Sequence, residues 1–319
     1  MESPPPDSVG NFESFDGTRI AYETYGRSLA QSSSSGKQAG GVPPVVCLNG
    51  IACVAHAYWD PLVDCLRDHT QVVLWDYRGH GKSAVPANPA EIAVPSFARD
   101  LLALEDALGI EKPVLVGHSF GVQVALEAVR IDRKAASGIV AVAGPHRRPL
   151  SDLFGLPIAR FMVSVLEPIA DTMPFAARSL WEAGFGSPLP YLIGRITRMA
   201  GPRATAENMR TYFEGLRQMD PVLLLKMFKT MDYQDARDFL PKLPVPLLAI
   251  AGAEDVMTPL PVMQELATLA PDARLEVVKG AGHTLPIEAP EKLCELVTDF
   301  LEQVRAMALA DKAHNEAAN

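Results

Sequence analysis

Gly117-His118-Ser119-Phe120-Gly121 sets a serine between two glycines at the spacing G-x-S-x-G, directly after the apolar run Val114-Leu115-Val116. The glycines permit a strand-to-helix turn so tight that larger side chains would clash, and the turn pushes the Ser119 hydroxyl outward. A helix starting beyond it aims free N–H groups and its positive dipole end at whatever the serine holds. The chemistry this points to is acyl transfer with Ser119 as nucleophile. A serine hydroxyl is weak alone and needs a base within hydrogen-bond reach, itself oriented by a carboxylate. Two segments offer them: Ile250 to Pro259 carries Glu254 and Asp255, and Lys279 to Thr284 carries His283. Each leaves an apolar run, so each is expected at the carboxyl end of a strand, where open parallel sheets place their sites. His118, His80 and His146 compete with His283. The sharp turn directs His118 away from the hydroxyl it adjoins, and His80 and His146 read as loop residues.

Holding these groups together requires a sheet. Val45–Leu48, Val72–Trp75, Val114–Val116, Ile139–Val142, Leu247–Ile250 and Leu275–Val278 are short apolar runs without alternation, the mark of strands covered on both faces. Helical spacing recurs between them, over Tyr58 to Arg67, Phe97 to Leu108, Gly121 to Val129 and Met263 to Leu269, and from Pro290 to Leu309. The fold class is α/β, a mostly parallel sheet flanked by helices. An Asp16-Gly17 turn before the alternating Arg19 to Tyr25 predicts an edge hairpin, and Ser28 to Gly41 predicts a mobile loop.

Roughly 100 residues separate the strands ending near Ala143 and starting near Val245, far beyond a normal crossover. The spacing there is helical, so residues 146–235 are expected to form a helical cap over a core of residues 15–145 and 236–305. Residues 1–14 are expected to be disordered and 306–319 to form a fraying helix end or a tail. Leu153, Phe154, Phe161, Met162, Trp181, Phe185 and Leu192 are expected to pack as cap core or to line the cleft.

At 319 residues, 48% hydrophobic and 21% charged, the composition is that of a globular chain with a sizeable core. The net charge of −9 leaves no basic footprint for phosphates, which argues against a nucleic-acid partner. Cys47, Cys53, Cys65 and Cys294 are too few for a disulfide scaffold and are expected to be reduced. Cys47, Cys53 and His56 match no zinc-ligand spacing, so no metal is expected. The first residues lack the features of a signal peptide, and no run reaches the ~18 apolar residues of a membrane helix. The expectation is a soluble, cytoplasmic protein.

The order Ser119, Asp255, His283, with G-x-x-D-x-x-x-P ending at Pro259 and Gly280-Ala281-Gly282-His283, resembles the α/β-hydrolase family in its capped, serine-triad branch. The resemblance covers Phe15 to Gln303 and favours Asp255 over Glu254. It implies an oxyanion hole made by the backbone N–H groups of Phe120 and Ile51, the latter in Asn49-Gly50-Ile51, where the family more often has histidine at position 49. Asp76 to Ser83 resembles the family's D-x-R-G-x-G-x-S loop, mainly structural there. Its Gly-Lys-Ser ending is no phosphate loop, because position 76 lacks the glycine. Epoxide hydrolases and haloalkane dehalogenases carry aspartate where this chain has Ser119. The implied activity is hydrolysis of carboxylic esters with no cofactor, on a small-molecule acyl substrate of small to medium apolar character. The same triad also serves lactones, thioesters, amides, some carbon–carbon bonds and acyl transfer, and some relatives are ligand-binding receptors.

Overall fold

Five of the chain's apolar runs have every residue buried, which requires a sheet with helices on both faces. The computed structural model describes residues 5–26, 41–54, 58–151, 158–185, 187, 189–196 and 199–318. Its strands are β1 (Ser8–Glu13), β2 (Arg19–Tyr25), β3 (Val45–Leu48), β4 (Val72–Trp75), β5 (Val114–His118), β6 (Gly138–Val142), β7 (Leu247–Gly252) and β8 (Ala273–Val278). They form one sheet in the order β1-β2-β4-β3-β5-β6-β7-β8. β1 and β2 run antiparallel to their neighbours, and from β4 onward every pairing is parallel.

The helices are α1 (Asp60–Leu66), α2 (Val94–Leu108), α3 (Phe120–Ile131), α4 (Ile158–Thr172), α5 (Pro174–Phe185), α6 (Leu189–Ile196), α7 (Arg210–Gln218), α8 (Pro221–Tyr233), α9 (Leu260–Leu269), the single turn α10 (Leu285–Glu288) and α11 (Pro290–Ala318). α4 to α8 all fall between β6 and β7. The register sets Leu48 beside Gly117, His118 beside Val142 and Gly252 beside Val278, so the segments that follow β3, β5, β7 and β8 emerge at one edge. No helix among the described residues is long and apolar enough to cross a membrane.

The structure corrects three expectations. Residues 1–14 are not disordered throughout, because Ser8–Glu13 pairs residue for residue with Arg19–Glu23 and Thr24 of β2. Backbone bonding makes this strand: its side chains are exposed or half-buried and carry no readable alternation. Residues 306–318 take the helix-end form of the two open to them, since α11 continues to Ala318 on an alanine-rich segment of high helix propensity. Cys65 and Cys294 are not free thiols but a disulfide joining α1 to α11, with Cα atoms 6.3 Å apart. Phe161, Met162 and Leu192 are neither core nor cleft lining, being 68%, 50% and 54% exposed. The expected loop at residues 28–40, Leu153, Phe154 and His56 lie outside the described residues.

Candidate active site

Ser119 sits between β5 and α3 with φ 52° and ψ −117°, a backbone conformation few non-glycine residues adopt. The turn is pinned from both sides, the Ser119 N–H donating to Val142 O at 3.0 Å and the Val122 N–H to Ser119 O at 3.0 Å. Gly121 has to be glycine: a Cβ there would stand 2.3 Å from the Leu48 carbonyl oxygen.

The loops after β7 and β8 bring the other two predicted residues to this serine. His283 Nε2 lies 3.0 Å from Ser119 Oγ, and His283 Nδ1 lies 3.0 Å from Asp255 Oδ2. With Nδ1–H donating to the carboxylate, Nε2 presents its lone pair to the serine hydroxyl. Asp255 is fixed through its other oxygen, which accepts the N–H groups of Met257 and Thr258 at 2.8 and 2.9 Å. Ser119, Asp255 and His283 are each 6% exposed, whereas the competing Glu254 is exposed. Three groups from three loops thus form one hydrogen-bonded row.

None of the three competing histidines contacts the Ser119 hydroxyl. His118 donates from Nε2 to the His283 carbonyl at 2.8 Å and accepts at Nδ1 from the Tyr58 hydroxyl at 3.0 Å. Burial pushes it down to about 3, so it stays neutral. His80 bonds the Arg78 carbonyl at 3.0 Å, and His146 is buried 3.6 Å from Glu265.

Phe120 opens α3, and neither its N–H nor that of Ile51 has an acceptor among the described residues. Asn49, the departure from the family's histidine, is fully used. Its amide donates to Trp75 O at 2.9 Å, and its oxygen accepts from Trp59 Nε1 at 2.8 Å. Tyr58 accepts the Gly50 N–H, so the Gly50-Ile51 bend is tied through Tyr58 and His118 to the backbone of His283. Asp76 to Ser83 contributes nothing to the cavity wall. There the fully buried Arg78 binds Asp100 and, at 2.9 Å, Asp16, tying the loop after β4 to α2 and the first hairpin.

Ser119, His283, Gly50 and Ile51 open into a cavity of about 210 Å³. Trp181, Phe185, Tyr212, Leu216, Leu224 and Phe228 from α5, α7 and α8 supply most of its far wall. Among the described residues no lysine, arginine, aspartate or glutamate lines it. Such a space takes a small ring or a short chain, given that ~150 Å³ holds benzene.

Glu288 was not legible as part of the site. Its carboxylate accepts the Gly282 N–H at 3.1 Å, the Thr284 hydroxyl at 2.8 Å and the Gly201 N–H at 3.3 Å, bracing both flanks of His283 against the inserted segment. Gly201 permits this approach, since a Cβ there would meet Glu288 Oε2 at 2.2 Å. The available signal was Thr284 followed four residues later by an acid, one residue beyond the capping-box spacing.

The profile of the alpha/beta hydrolase fold family matches residues 43–290. The "Putative carbamate hydrolase RutD" of Stutzerimonas stutzeri strain A1501 is 28% identical over 272 residues, covering 84% of this chain and 95% of that protein. A hydrolase from Pseudomonas aeruginosa PA01 superposes with TM-score 0.71 at 25% identity, over 92% of this chain and 98% of that one. A thermophilic esterase from Thermogutta terrifontis superposes with TM-score 0.70 at 22% identity, over 93% and 99%, a likeness of fold.

Proposed function

The chain belongs to the alpha/beta hydrolase fold family, and from that premise we propose that it is a serine hydrolase cleaving small, uncharged carboxylic esters. The observation that carries this reading is the row Ser119, His283, Asp255, with both contacts at 3.0 Å. In this reading residues 146–235 are the cap, over a core of residues 15–145 and 236–305.

Ser119 Oγ attacks the acyl carbon while His283 Nε2 takes its proton, and Asp255 stabilises the imidazolium. The Phe120 and Ile51 N–H groups receive the oxyanion, each donor of this kind contributing about 2.7–4 kcal/mol to the transition state. Collapse expels the alcohol, which takes the proton from His283. Water then gives a proton to His283 and its oxygen to the acyl carbon, and release of the acid returns the proton to Ser119. No step calls for a cofactor.

The uncharged wall favours a neutral acyl group, because a carboxylate brought there would be desolvated without a cation beside it. The volume favours a short chain or a single ring. A second reading, carbamate cleavage, is favoured by the curated relatives of that name. A carbamate offers the same kind of acyl carbon to Ser119, but an ionised one lacks a counter-charge among the lining residues.

Cytoplasmic placement stays part of this proposal, against the opposing weight of Cys65–Cys294, a bond type that persists in oxidising compartments. The functional test is turnover of p-nitrophenyl esters from acetyl to palmitoyl, and of p-nitrophenyl carbamates, by the parent and by Ser119→Ala. We expect an optimum at short acyl chains and no turnover in the variant. Turnover retained in Ser119→Ala overturns the assignment, and a preference for carbamates selects the second reading.

A further inference from the structure

α4 is an amphipathic helix whose charged side chains pair along α8, while its more buried positions are Val163, Glu167 and Ala170. Arg160, Glu167 and Asp171 face α8, where they pair with Asp232 at 2.6 Å, Lys229 at 3.0 Å and Lys226 at 2.8 Å. At 100° per residue these three positions share one side. Phe161, Met162, Val165, Leu166 and Ile169, with Met173 just beyond the helix, fall on the opposite side. That side is open to solvent, with Phe161 68%, Ile169 51% and Met173 59% exposed. Amphipathic surface helices turn their apolar stripe to the core, and this one turns it away. On the next helix Phe175 and Leu180 are 83% and 76% exposed. Together these eight side chains present on the order of 800 Å² of apolar surface, one partner's share of a standard interface and more than isolated monomers usually leave bare.

We infer that the outward face of α4 is the contact surface for a second copy of this chain, the two α4 helices crossing antiparallel about a two-fold axis. Two observations select this occupant. The chain carries a net charge of −9, and α4 sets a single arginine against two carboxylates, so nothing on or beneath the face attracts an anionic lipid surface or an acidic partner. An apolar stripe running along one helix, on both sides of Pro168 near its middle, is also self-complementary. A two-fold axis through its middle, between Val165 and Ile169, sets Phe161 of each copy against the Met173 end of the other and needs no second kind of surface. The charges that would penalise such a contact are already spent on α8. The six apolar side chains of the stripe lie outside the catalytic cavity, so association leaves that cavity's wall intact.

The test is the sedimentation mass of the full chain at micromolar concentration, beside Ile169→Glu and Ile169→Cys. The parent is expected at twice 34.4 kDa and Ile169→Glu at 34.4 kDa, with the same circular dichroism spectrum and melting temperature. Ile169→Cys is expected to cross-link chain to chain on oxidation, since Cys47 and Cys53 are buried and Cys65 and Cys294 are already paired. Two results would overturn the inference: a parent that stays monomeric, with co-sedimentation on phosphatidylcholine vesicles then marking a lipid surface as the occupant, or a dimer that survives Ile169→Glu without cross-linking in Ile169→Cys.

Discussion

Replacing Glu288 separates holding the fold from holding the base. In Glu288→Ala the Gly201 N–H, the Gly282 N–H and the Thr284 hydroxyl lose their shared acceptor inside the protein. Hydrogen bonds to a charged group contribute about 1.5–3 kcal/mol each. Water entering the vacated space re-satisfies part of this, so the expected loss is about 3–5 kcal/mol, read as a lower urea midpoint at unchanged slope. Glu288→Gln retains Oε1, which accepts from all three donors, and changes only the atom 3.2 Å from Gly282 N, for a loss of about 1 kcal/mol. Gly282 and Thr284 flank His283, so the alanine variant also frees the imidazole from its 3.0 Å approach to Ser119. A displacement of about 1 Å costs up to about 100-fold. Ester kcat is therefore expected to fall about 10- to 100-fold in Glu288→Ala with KM little altered, because Glu288 is absent from the cavity wall. An alanine variant that is destabilised yet turns over within twofold of the parent would show that the brace holds the fold and not the base. Unchanged stability would refute the bond count itself.

Three further outcomes are expected. Burial pushes the Glu105 carboxyl up to about 9, so the folded chain keeps a proton that the unfolded chain releases above its ordinary value of 4.5. Stability is thus lost as pH rises through that window, by up to about 1.4 kcal/mol per unit, and Glu105→Gln should melt higher than the parent at pH 9 but not at pH 4. His118 and His146 are pushed the other way, to about 3 and about 4, so below 6.5 the unfolded chain binds protons that the fold refuses. In Glu105→Gln, which removes the opposing carboxyl, the urea midpoint should fall between pH 7 and pH 5, and a flat profile there would contradict the burial of these rings. Replacing both Cys65 and Cys294 with serine should cost about 2–4 kcal/mol in a denaturant titration under non-reducing conditions, and no change would mean that the pair is not joined in the parent.

The parallel strands were legible because burial on both faces leaves unbroken apolar runs such as Val72–Trp75, which resemble little else. Ser119, Asp255 and His283 were legible as candidates because each sits in a loop whose glycines or spacing reflect a local backbone demand. β1 was not: its existence depends on backbone bonds to β2 that leave its side chains unconstrained. The disulfide was not legible either, because a pairing across 229 residues is decided by which helices meet. Helical spacing was legible across residues 146–235, but periodicity tells which residues share a face and not where that face points. Phe161 and Met162 turned outward because the ion pairs on α8 claim the other side. Glu288 escaped notice because its role depends on Gly201, which comes from a distant part of the chain.

The bond between Cys65 and Cys294 has a mechanical consequence. Ser119, Asp255 and His283 all lie inside the covalent ring it closes, with β4 to β8, whereas β1, β2 and β3 lie outside. A pull applied to the two ends of the chain runs through β1, β2, β3 and α1, across the sulfurs and out along α11, so β4 to β8 feel it only through their hydrogen bonds to β2 and β3. Under tension the hairpin edge peels first while the centre keeps its geometry. Cutting that tie chemically, rather than pulling harder, is what exposes the centre to load.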